Sequence, residues 1–183
     1  MKKYNNQDGR SMIEMLGVLA IVGVLSVAGI AGYSKAMGKY KASKAMDQVS
    51  TISANVKTMF ANMGTYSVLD NEKAVKLSLL PEEMTKTCHG ASGTGATAVT
   101  ANYDDCVINA LNGTTTLSGA NGTSFTIAMA SLPQDACVAL ATSEWGGSSG
   151  FKGLKVGSTL VDTFALAASN CEGGNKTITW EFY

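Results

Sequence analysis

Histidine and proline are almost missing from this 183-residue chain: His89 is the one histidine, and Pro81 and Pro133 are the two prolines. A lone imidazole excludes most histidine-based catalysis. His89 stands beside Cys88 and reads as loop filler rather than half of a Cys-His dyad, since oxidation of Cys88 would remove the dyad. Zinc is equally unsupported, because Cys88, Cys106, Cys137 and Cys171 contain no C-x-x-C pair. The glycine-rich run 90–95 has neither the lysine nor the following helix of a phosphate loop. Asp104-Asp105 and Glu82-Glu83 admit a reading as paired acids or calcium ligands, against the plainer one of solvated carboxylates. No active site, metal or cofactor is expected, and the chain does not read as an enzyme.

Charge is missing from two stretches. Residues 15–34 are twenty positions without Asp, Glu, Lys, Arg or Pro, about the length that carries a helix across a roughly 30 Å hydrocarbon layer. Glu14 stands at the head of this span, where an ionised side chain costs about 2.5 to 3.5 kcal/mol toward the bilayer centre, so it needs a counter-charge. The rival is a secretory signal peptide: 29–31 offers small residues, and a cut after Ala31 would release a soluble protein. Glu14 argues against that, since a secretory apolar run gains nothing from an acid at its head. The second stretch is 87–134, where only Asp104 and Asp105 are charged, as suits a domain that packs against copies of itself.

What charge there is lies unevenly. Lys35, Lys39, Lys41 and Lys44 follow the span with no acid among them, while from Asp47 onward 7 lysines face 12 acids, a net of −5. The lysine run has two readings, attraction to anionic headgroups or acidic neighbours such as Glu82 or Asp104 of another copy, and a solvated helix flank. A mildly acidic distal domain makes nucleic acid an unexpected partner. Counting Lys2, Lys3 and Arg10 against the later lysines points the wrong way for an N-inside protein. The four cysteines outweigh that count: all lie beyond the span, and an even number there reads as two disulfides in an oxidising compartment, with three connectivities possible.

With no proline before Pro81, nothing breaks a helix from Ser11 until Gly64, and 11–63 would be about 80 Å long at 1.5 Å per residue. Its distal half has Val49, Ile52, Val56, Met59, Phe60 and Met63 at steps of three and four, an amphipathic stripe facing a core. Its apolar half carries Gly17, Gly23, Gly29 and Gly32. These do not share one face, although Ala28 and Gly32 form a small-xxx-small pair, and each glycine weakens a helix interior by up to about 1 kcal/mol. Downstream, 71–79 and 81–84 read as short helices, the second with Pro81 at its first position, and 90–100 as a mobile loop. Strands are expected at 107–111, 114–118, 123–130, 151–156, 159–165 and 177–183, with Asn112-Gly113 and Asn121-Gly122 as hairpin turns. A helix is expected over 133–141 and a turn over 145–150. In the last strand Ile178, Trp180 and Phe182 share one face, which should lie on the long helix.

A short basic leader, Gly9, and Glu14 five residues later at the head of an apolar helix together resemble the N-terminus of a type IV prepilin. The pieces 131–137, Asn170-Cys171 and 175–180 resemble the C-terminal half of type IVb pilins, particularly the PilS type. The resemblance implies an α+β pilin fold, with a membrane-spanning half-helix and an amphipathic half-helix packed on an antiparallel sheet and a disulfide-bounded C-terminal region. It divides the chain into a leader (1–9), an apolar membrane and assembly helix (10–34), the amphipathic half (35–63) and a head domain (64–183). It implies cleavage by a prepilin peptidase between Gly9 and Arg10, and pairing of Glu14 with the new Arg10 amine, normally methylated, on a neighbouring copy. The departure is Arg10 itself, where most members carry an apolar residue. Gly17, Gly23 and Gly29 would let the helix stretch on assembly, against the plainer reading that glycine is simply common in membrane helices. The favoured disulfides are Cys88–Cys106 and Cys137–Cys171, both closing local loops, the second resembling the C-terminal loop of type IVb pilins. The implied function is the major subunit of a surface filament, held in the inner membrane with an assembly platform before polymerising with its own kind. A type II secretion pseudopilin and a secreted binding protein are the alternatives.

Overall fold

The computed structural model describes residues 8–88, 103–119, 122–145 and 150–183; the expected loop at 90–100, His89, Asn121 and most of the 145–150 turn lie outside them. Tertiary contacts divide the chain into Met1–Lys39 and Tyr40–Tyr183. The helix α1, Asp8–Phe60, runs through the boundary.

In the second unit α1 forms because Ala42, Ala45, Val49, Ile52, Val56 and Phe60 recur at helical spacing and are all buried. Met59 and Met63, expected on the same stripe, are instead exposed, while Gln48 and Ser53 are buried in it. The helix ends at Phe60 rather than 63. Residues 61–63 tighten into a turn, with the Met63 amide donating to the Phe60 carbonyl at 2.9 Å, and Gly64 reverses the chain at φ 68°.

The connector folds as α2 (Asn71–Lys76) and α3 (Glu82–Thr85). The Asp70 carboxylate caps α2 by accepting from the Lys73 amide at 2.8 Å, and Pro81 is the residue before α3 rather than its first. A one-turn helix α4, Tyr103–Cys106, follows and carries Asp104-Asp105. The expected strand at 107–111 is reduced to one bridge, Ile108 to Thr114. The Asn109 side chain takes the amides of Leu111 and Gly113 that a strand would have offered to a partner.

The sheet is antiparallel throughout, in the order β1 (Thr115–Ser118), β2 (Phe125–Leu132), β5 (Lys176–Phe182), β3 (Phe151–Val156), β4 (Thr159–Leu160). Helix α5 (Gln134–Ala141) follows β2 with Pro133 at its cap. The expected strand 159–165 stops after two residues. Thr163 caps a helix, α6 (Phe164–Asn170), its hydroxyl accepting from the Leu166 amide, and the alanines of 164–170 favour helix over strand.

β5 occupies the middle of the sheet, and its alternation buries Ile178, Trp180 and Phe182 in the same cluster as Val49, Ile52 and Val56 of α1. Rings connect these layers: Phe60 to Tyr66 (5.6 Å), Tyr66 to Phe125 (4.9 Å) and Phe125 to Phe182 (5.5 Å) between centroids. Gly119 must be glycine, because a Cβ there would lie 1.7 Å from the Tyr66 carbonyl oxygen. This close approach holds the connector to the end of β1.

Candidate functional site

From Met12 through Ala36 every side chain is exposed. Leu16, Leu19, Val24 and Ile30 show 63, 64, 71 and 68% of their surface to solvent. The segment is long and apolar enough to cross a membrane. Its two serine hydroxyls are internally satisfied, Ser26 donating to the Val22 carbonyl at 2.7 Å and Ser34 to the Ile30 carbonyl at 3.0 Å. The backbone bonds are those of the helix, so 12–34 presents an apolar surface with Glu14 as its one charge. A Cβ placed on Gly17, Gly23, Gly29 or Gly32 would meet nothing within 4 Å. Close packing within this chain therefore does not require these glycines, and the helix passes through all four without a break. The Gly9–Arg10 peptide lies in the first turn of α1, one turn before Glu14.

The four cysteines form two disulfides, Cys88–Cys106 with Cα atoms 4.9 Å apart and Cys137–Cys171 at 5.6 Å. The second joins α5 to the end of α6 and is fully buried; the first ties the end of the connector to α4 and is half-buried.

Three amide side chains, none evident as special in the sequence, stitch the connector to the rest of its unit, and a fourth, Asn109, ties the segment before β1 to β2. Gln48, buried on α1, donates to Glu83 Oε1 at 3.2 Å and accepts from the Ala110 amide at 3.1 Å. Asn55 donates to the Leu79 carbonyl at 2.9 Å. Asn71 donates to the Tyr103 and Thr115 carbonyls and accepts from the Leu117 amide at 2.7 Å, covering the outer edge of β1 as a neighbouring strand would. Asn109 reaches the Ala130 carbonyl at 3.1 Å. Their one sequence signal is a polar residue at a stripe or cap position. Lys44, the last of the lysine run, is taken by Glu83 of its own chain at 3.2 Å. The hydrogen bond from Gln48 and then the Lys44 ammonium hold the Glu83 carboxyl below its ordinary value. Among the described residues no group of three or more His, Cys, Asp or Glu converges as a metal site.

A long helix with an uncovered apolar half, a second half packed on an antiparallel sheet, and two disulfides define a pilin. The type IVb pilin from Salmonella typhi has this fold: its crystal structure superposes with a TM-score of 0.50 at 20% identity, covering 75% of this chain and 96% of that one. The family model described as PilS N terminal matches residues 39–182. The chain belongs to that family and is a type IVb pilin. No curated protein matches it.

Proposed function

We propose that this pilin polymerises into a helical surface filament as its major structural subunit. The observation that carries the reading is the uninterrupted exposure of apolar residues 12–33. In a single copy this surface is tolerable only in lipid. Once withdrawn from the inner membrane it must be covered by other copies, at about 25 cal/mol per Å² buried. A head-to-tail contact that does not close into a ring generates a filament of such copies.

Cleavage between Gly9 and Arg10 by a prepilin peptidase frees the Arg10 amine, and Glu14 pairs with that amine on a neighbouring copy. An incoming subunit that finds the amine relieves a buried carboxylate, and one out of register keeps the penalty. Gly17, Gly23 and Gly29 lower the cost of local stretching as the segment changes from lipid to protein surroundings. An assembly platform in the inner membrane receives the subunit before extraction.

The test is the mature N-terminus of filaments sheared from cells: mass spectrometry should place it at Arg10. Glu14→Ala should leave the disulfide-bonded head folded in the membrane while reducing filaments at least tenfold. Normal filaments from Glu14→Ala would overturn the pairing, and a soluble protein trimmed beyond Ala31 would overturn the filament.

A further inference from the structure

We propose that a groove on the second unit, walled by Tyr40, Ser43, Asp47, Thr51, Pro81 and Glu83, receives Lys39 of a second copy of this chain. The proposal rests on the filament reading and names one contact within it. The groove has a volume of about 370 Å³. Its floor is fixed, because Gln48 is buried and holds both Glu83 and the Ala110 amide. Lys44 is already engaged by Glu83, so the Asp47 carboxylate remains the uncompensated charge. Asp47 is exposed and has no ion-pair partner among the described residues, and the same is true of Lys39. The two cannot satisfy each other within one copy, since eight residues along a helix separate them by about 12 Å.

Two parallel copies bring them together. For the Arg10 amine of one copy to meet Glu14 of the next, the second must be displaced so that its higher-numbered residues stand level with lower-numbered residues of the first. The same sense of displacement sets Lys39 of the first level with Ser43 after four residues, about 6 Å, and with Asp47 after eight, about 12 Å. Both residues line the groove, and the flexible four-carbon lysine stem spans the roughly 6 Å between them. One direction of stagger therefore serves both charge pairs. Tyr40, 61% exposed, supplies an aromatic wall for the lysine stem.

The test is a charge exchange in cells that assemble the full chain, read as filament yield. Lys39→Glu and Asp47→Lys should each lower the yield about fivefold, as expected when an exposed pair becomes repulsive, and the double exchange should recover most of the loss. Lys39→Cys with Asp47→Cys should give an oxidation ladder of covalent multimers, whereas either cysteine alone should stop at dimers. Single reversals with wild-type yield, or a double exchange no better than the worse single, overturn the contact while leaving the filament intact. Wild-type cells that shed no filament overturn the filament reading, and the contact with it.

Discussion

Two stretches of the same helix carry apolar side chains, and these meet opposite fates. In 12–34 all faces are apolar and all are exposed. In 42–60 Ala42, Ala45, Val49, Ile52, Val56 and Phe60 keep to one stripe and are buried, with Ser43, Asp47, Ser50, Thr51, Ala54 and Met59 turned outward. What separates them is the polar residues interleaved through the second stretch, which confine its apolar positions to a helical period and are almost absent from the first. A one-sided stripe can be covered by one sheet, whereas a helix apolar all round needs an apolar medium or several neighbours. The first half thus depends on something outside the chain, and the second half is complete within it.

The sharpest way to break this contrast is to cut one large side chain from each half. Trp180→Ala, in the strand beneath the buried stripe and fully enclosed, should destabilise the head by about 3 to 5 kcal/mol, read as a lower urea midpoint. Leu19→Ala, 64% exposed, should leave that midpoint unchanged and appear only in membrane retention or filament yield. Equal effects on head stability would mean that the two halves are not independent.

The disulfides extend the contrast to the head itself. In the chain-entropy account, removing the 34-residue Cys137–Cys171 loop costs about 4 kcal/mol and the 18-residue Cys88–Cys106 loop about 3. Cys137 and Cys171 are fully buried, whereas Cys88 and Cys106 are half-buried. A thiolate reductant should therefore reach the Cys88–Cys106 pair first. Under native conditions, alkylation followed by peptide mapping should label Cys88 and Cys106 well before Cys137 and Cys171.

Asn71 comes next. Asn71→Ala orphans the Leu117 amide and two carbonyls and should cost about 2 to 3 kcal/mol, again as a lower urea midpoint. It should also free the outer edge of β1 for self-association. Asn71→Asp keeps the acceptor for Leu117 but loses both donated bonds, and should recover part of the loss at most.

The same residue shows where reading the sequence stops. Period made the long helix and the β5 face legible: Ile178, Trp180 and Phe182 lie buried where alternation puts them. Turn residues located β1, β2 and β3 to within a few positions. Side chains that replace backbone partners were not legible, because the preference of Asn for turns does not say which distant strand it will complete. Asn109 thereby turned an expected strand into a bridge. Thr163 stands before an alanine run, and its capping role was hidden behind the β-branched residues preceding it. At the candidate site the sequence located the uncovered span. The groove at Asp47 stayed invisible, because it depends on Gln48 drawing Glu83 onto the flank of α1.

The smallest expected effect concerns pH. The Lys152 ammonium, 2.6 Å away, holds the Glu181 carboxyl below its ordinary value of 4.5, with the Ser124 hydroxyl assisting. Glu83 is shifted the same way by Gln48 and Lys44. A carboxyl whose folded pKa is depressed contributes stability above its unfolded value, and that contribution is lost as pH falls through the lowered folded value. Head stability should therefore be flat from neutrality to about pH 5 and decline below 4.5, modestly because both pairs are partly solvated. Glu181→Gln with Glu83→Gln should flatten the acid limb in urea titrations across that range. Neither Lys152 nor Lys44 changes charge there, so persistence of the full decline in the double variant would assign it to other carboxylates.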